Sequence, residues 1–194
     1  MPDKVRLFIA VRFSRDVTQN LAALMDRLRG PLDRRADIKW VEAHNIHLTL
    51  QFLGDVDEGL LPKLTGSLSG AYSNLDKFHV SLADVGAFPK PNRARVIWTG
   101  IVHGADGLRA LHSATMEVTK EFGFEPDDRP FKAHVTLGRI RTRSNRFPDL
   151  SKPLKGFFGA KVGKCQIQQV HLVKSELRPN GPLYTTLDSF PIGR

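Results

Sequence analysis

A chain of 194 residues is long enough to bury roughly 70% of its unfolded surface, which excludes a mini-protein held by disulfides. With 41% hydrophobic and 25% charged residues it lacks the polar bias of a disordered chain; no apolar run reaches the ~20 residues that cross a bilayer and the N-terminus lacks a secretion-signal pattern, so a soluble, cytoplasmic protein is expected. The net charge of +9 is concentrated, because residues 129–164 hold ten basic residues and one acid, Asp149; such a stretch suits a polyanion surface or a solvated loop.

Val5 to Phe13 alternates apolar and other residues with a period of two, which predicts a strand. A helix follows, capped by Ser14 or Asp16, with Val17, Leu21, Leu24 and Leu28 on one face and Gly30-Pro31 as its stop. Ile46 to Phe52 reads as a strand ended by Gly54-Asp55, and Leu60, Leu61, Leu64, Leu68 and Ala71 as a second helix. Phe78, Val80 and Leu82 predict a further strand. The order then recurs: a strand over Arg95 to Val102, a helix through Leu108, Leu111, Thr115, Val118 and Phe122 closed by Gly123, and a strand over Ala133 to Leu137. After a basic loop, Ile167 to Leu177 and Leu183 to Ile192 read as strands joined at Pro179-Asn180-Gly181.

One offset aligns the two halves. Adding 87 carries His47 to His134, Ile9 to Val96, Leu21 to Leu108, Leu24 to Leu111 and Leu48-Thr49-Leu50 to Val135-Thr136-Leu137. The reading is an α+β duplication: one bilobal domain over 1–194, its lobes mixed from two repeats of roughly 1–90 and 91–194 and related by a pseudo-two-fold axis. Each repeat supplies one His-x-Thr strand. In a strand, residues two apart share a face, so His47 stands with Thr49 and His134 with Thr136, while the leucines and Val135 face the core.

Two imidazoles across a cleft suit in-line displacement at phosphorus, one taking a proton from the nucleophile and the other giving one to the leaving oxygen. An ordinary His pKa of about 6.5 allows one ring to be neutral and one protonated near neutral pH. The threonine hydroxyls can donate to non-bridging oxygens. Cys165 is read as structural. No metal and no cofactor is expected: His44, His79, His103, His112 and His171 have no in-register counterpart, and ligand spacing is absent.

The paired motifs, with Arg6-Leu-Phe-Ile-Ala-Val, Trp40 to Val56, Arg95-Val-Ile-Trp98, Phe131 to Arg139 and Ser175 to Pro191, resemble the two-histidine (2H) phosphoesterase superfamily over essentially the whole chain. The resemblance is to its RNA 2′,3′-cyclic phosphodiesterase branch, the LigT-like family first known as 2′-5′ RNA ligase. It implies antiparallel sheets lining a central cleft with helices outside, and metal-independent hydrolysis of RNA 2′,3′-cyclic phosphate ends to 2′-phosphates. It further implies His47 as acid, His134 as base, phosphate binding by Thr49, Thr136 and Arg139, and reverse ATP-independent ligation. Strict alternation puts Arg139 on the face away from Thr136, so this role requires a twist or bulge. Arg95, Arg141, Arg143 and Arg146 are candidates for the RNA backbone, and Phe8 or Trp98 for base stacking. A monomer is expected. Two rivals remain open: a non-catalytic RNA-binding module built on 129–164, and a phosphodiesterase acting on 2′-5′ oligonucleotides or small cyclic nucleotides.

Overall fold

A computed structural model describes residues 4–125, 130–142, 146–179 and 181–193. The element order is β1 (Lys4–Val11), α1 (Arg15–Asp33), β2 (Asp37–Trp40), β3 (Leu48–Asp57), α2 (Leu61–Ser73), β4 (Phe78–Phe88), β5 (Val96–His103), α3 (Ala105–Glu121), β6 (His134–Arg141), α4 (Ser151–Lys155), β7 (Lys161–Ile167), β8 (Gln169–Arg178) and β9 (Gly181–Pro191). The strands form two sheets, one ordered β3-β1-β8-β9 and the other β2-β6-β5-β4-β7, with every pairing antiparallel. No described helix is long and apolar enough to cross a membrane.

The duplication is visible in the topology. The series β3-β1-β8-β9 matches β6-β5-β4-β7, with β2 as an addition at the β6 edge. Sheet membership crosses the halves of the sequence, because β4 joins β5 while β8 and β9 join β1. The helices keep the 87-residue offset: Leu21 and Leu108, Leu24 and Leu111, Leu28 and Thr115, and Leu32 and Thr119 are all buried. The first strand does not keep it. Ala10 pairs with Thr49 as Trp98 pairs with Thr136, so Ala10 corresponds to Trp98 and Ile9 to Ile97, one place beyond the expected Val96.

Several boundaries differ from expectation for identifiable reasons. Ser14 caps α1 by accepting from the Val17 N–H, as anticipated, but the helix runs through Gly30-Pro31 to Asp33. Burial of Leu32 draws this last turn onto the core, where a proline removes a single helical hydrogen bond. Gly54 does not end β3; it takes φ +70° next to a bulge, and the strand continues to Asp57. β4 likewise continues past Leu82 to Phe88.

The supposed basic loop contains α4 and β7, and β2 was also unforeseen. In β7 the buried residues are Val162, Cys165 and Ile167, and a ladder irregularity near Gly163 breaks the period of two. Lys161 and Lys164 therefore sit on an edge strand, separated from Arg139 and Arg141 of β6 by β5 and β4.

Candidate functional site

His47 follows a short 3-10 turn over Ala43–Asn45 and directly precedes β3, and His134 opens β6. Each ring is fixed by the backbone two residues behind it. His47 Nδ1 lies 2.6 Å from the Asn45 carbonyl oxygen and His134 Nδ1 lies 2.7 Å from that of Lys132. A carbonyl can only accept, so both Nδ1 atoms donate, and each Nε2 is left to take or give a proton. Leu48, Leu50, Val135 and Leu137 are buried and pin the strands beneath the rings.

Both motif strands carry a bulge at the same place. β3 pairs Ala10 with Thr49 and then Ile9 with Gln51, skipping Leu50; β6 pairs Trp98 with Thr136 and then Ile97 with Gly138, skipping Leu137. Each bulge inverts the alternation after the threonine. Gln51 is thereby turned to the core, where its Oε1 accepts from Thr119 Oγ1 at 2.7 Å, and Phe52 joins the face of Thr49. Arg139 joins the face of Thr136 by the same device, which supplies the bulge that its expected role required. Phe52 and Arg139 are thus matching positions, each three residues after its threonine.

The sheets approach each other where β3 contacts β6. There the Arg139 guanidinium acts electrostatically on both His47 and His134, disfavouring their protonated forms. Burial is the larger cause and lowers the pKa of both imidazoles below the ordinary histidine value; the carbonyl contacts oppose it, and Arg12 adds to the lowering at His47 alone. Arg12 follows the β1 residue paired with Leu48, whereas Gly100 pairs with His134. The two rings are held alike but their electrostatic surroundings differ.

Aromatic side chains back each histidine. Phe8 and Tyr184 lie 4.8 and 5.4 Å from His47 between ring centroids, and Phe88 lies 4.9 Å from His134 and 5.1 Å from Trp98. Phe8 is only 2% exposed, a correction to its reading as a stacking surface: it packs beneath His47 and offers no free face. Trp98 is half-buried on the cleft face beside Phe88, with its indole over Gly86, where a side chain would collide with it, and its buried Nε1 has no partner among the described residues. Arg95 lies 4.2 Å over the Phe147 ring, while Arg141 is exposed opposite Asp37 at the end of β6. Arg143 lies outside the described residues.

Sequence reading missed Phe52, Tyr184, Phe88, Arg12 and Lys39, the last of which pairs directly with Arg139 across β2 and β6. The equal spacing of Phe52 and Arg139 from their threonines was the one available signal. His171, set aside from sequence, shares the face of Ala10 and Thr49, and its Nδ1 lies 2.9 Å from Ser189 Oγ. Among the described residues, no three His, Cys, Asp or Glu side chains gather as metal ligands.

Comparison with known proteins gives a concordant result. A family model described as LigT like Phosphoesterase matches residues 11–98 and 102–184. An RNA 2′,3′-cyclic phosphodiesterase of Methanothermobacter thermautotrophicus is 33% identical over 187 residues, covering 96% of this chain and 98% of the relative. One of Aeropyrum pernix is 35% identical over 150 residues, covering 77% and 84%. A crystal structure of a Thermus thermophilus protein superposes with TM-score 0.79 at 28% identity, covering 97% of this chain and 99% of that one. Escherichia coli LigT complexed with 3′-AMP shares the fold, with TM-score 0.78 at 23% identity and 99% and 100% coverage.

Proposed function

The chain belongs to the LigT-like phosphoesterase family, and from that premise we propose that it hydrolyses 2′,3′-cyclic phosphodiester ends of RNA to 2′-phosphomonoesters by acid/base catalysis with His47 and His134. The relatives named RNA 2′,3′-cyclic phosphodiesterase support the substrate class. The observation that carries the mechanism is the matched tether of the two rings, which leaves two Nε2 atoms as the proton-transfer groups of a site bordered by β3 and β6.

In the forward reaction His134 Nε2 takes a proton from water as its oxygen bonds to phosphorus, and His47 Nε2 gives a proton to the 3′ oxygen as the P–O3′ bond breaks. The pentacoordinate phosphorus carries its negative charge on the non-bridging oxygens. Thr49, Thr136 and Arg139 stand on the faces that can hold those oxygens, and Arg139 supplies the compensating charge. Both proton transfers are then carried by imidazoles. The acid and base assignments come from the family likeness; the tethers treat the rings alike. Run in reverse, the same steps join a cyclic end to a 5′-hydroxyl without ATP.

The test is product analysis on a short RNA ending in a 2′,3′-cyclic phosphate. A 2′-phosphate is expected. A 3′-phosphate would reverse the leaving group, and RNA binding without cleavage would leave the binding-module reading in its place.

A further inference from the structure

Beyond His47 along the first sheet lies a cavity of about 180 Å³, lined by Arg6, Phe8, Phe52, Ser175, Leu177 and Tyr184. This is smaller than the roughly 300–1,000 Å³ of pockets that enclose a drug-sized ligand, and it suits one planar ring. Two of its walls are exposed apolar side chains, Phe52 at 66% and Leu177 at 75%. Exposed hydrophobes grouped around a cavity mark a binding surface. Phe52 reaches this face only because of the bulge at Leu50, and its ring lies 5.9 Å from Phe8, which in turn lies against His47.

Charge on this surface fits a nucleic acid. Arg6 lines the cavity and acts electrostatically on the Tyr184 phenol, whose pKa is raised by burial and lowered in part by Arg139 and Arg6. Asp55 is the ladder partner of Arg6, yet among the described residues Arg6 makes no ion pair within 4 Å. An aromatic platform beside an unneutralised arginine is the combination by which single strands are held through stacking and backbone charge.

We propose that this cavity is a subsite for the nucleotide immediately 5′ to the cyclic end, its base stacked on Phe52 and Arg6 placed on a backbone phosphate. The inference rests on the reading of cyclic RNA ends given above and extends it: the preferred substrate has at least two nucleotides. Arg6 stands on β1 two residues beyond Phe8, farther from the His47 end of the β1–β3 ladder, and a cation there calls for a phosphate besides the one at the histidines, which a terminal mononucleotide does not carry. Stacking accepts any base, so the subsite measures length and is indifferent to sequence.

The test uses the full chain and a binding readout that needs no turnover. Affinities are measured by calorimetry for a nucleoside 3′-phosphate and for a diribonucleotide ending in a 3′-phosphate. The dinucleotide should bind at least about tenfold tighter, and Phe52→Ala should lower that ratio about tenfold; Arg6→Gln should flatten the salt dependence of dinucleotide binding. Equal affinities in the wild type, or a ratio unchanged by Phe52→Ala, would overturn the proposal. So would a fall in sedimenting mass on Phe52→Ala, the sign of a second copy covering this face. If the binding ratio behaves as expected while neither cyclic mononucleotide nor cyclic dinucleotide is hydrolysed, the subsite stands and the catalytic reading falls.

Discussion

The two motif strands are built to one plan and differ at one informative place. In β3 and β6 alike a histidine is tethered through Nδ1 to the carbonyl two residues before it, a threonine follows on the same face, and a bulge at the next leucine reverses the alternation. Three residues past the threonine, β3 presents the phenyl ring of Phe52 and β6 the guanidinium of Arg139. Duplicated geometry therefore carries divergent chemistry: the β6 side presents a cation, the β3 side an apolar ring.

The comparison can be broken most severely at the features the strands share. His47→Ala and His134→Ala should each lower kcat on a nucleoside 2′,3′-cyclic phosphate by about 10²–10⁴-fold, the usual worth of a general acid or base. Full activity in either variant would reject the paired mechanism. Next in size is Arg139→Ala, expected to cost about 10²–10³-fold in kcat through lost stabilisation of the phosphorus-centred charge, with Arg139→Lys recovering part of it. An effect confined to KM would show that Arg139 binds ground state and transition state alike.

The pH dependence sharpens the same comparison. The proposed mechanism uses one neutral and one protonated ring, so kcat/KM should be bell-shaped, with macroscopic values belonging to the pair. Burial lowers both histidines in the free protein, so the maximum should fall below pH 6.5; Arg139→Gln should move it upward, since the guanidinium is one cause of the lowering. A maximum above 6.5 in the wild type would contradict this account. The same shifts act on stability. The unfolded chain binds these protons more readily, so stability is full above about pH 6.5 and declines as pH falls through that value toward the lower folded values. Replacing both histidines by Asn should make the acidic side of a Tm-against-pH curve shallower, with His112 and His171, also lowered by burial, keeping the rest of the slope. Smallest are the hydroxyls: Thr49→Val and Thr136→Val should each cost about tenfold or less in kcat/KM. A chelator should leave the rate unchanged.

Much of this was legible in the residues themselves. Hydrophobic periodicity located the long helices and most strands, and the repeated His-x-Thr-Leu revealed the duplication because a shared backbone plan leaves a shared side-chain pattern. The sequence alone also placed His47 with Thr49 and His134 with Thr136, since neighbours two apart on a strand share a face whatever the strand packs against.

What depended on long-range pairing was invisible to that reasoning. A bulge exists only relative to a partner strand, so no local pattern could bring Arg139 to the face of Thr136 or turn Phe52 out and Gln51 in. The exchange of β4 and β8 between sheets, the burial of Phe8 beneath His47, and the common electrostatic reach of Arg139 are likewise tertiary facts. Period and motif set which side chains each strand offers; the pairing of strands distant in the chain set which of them meet.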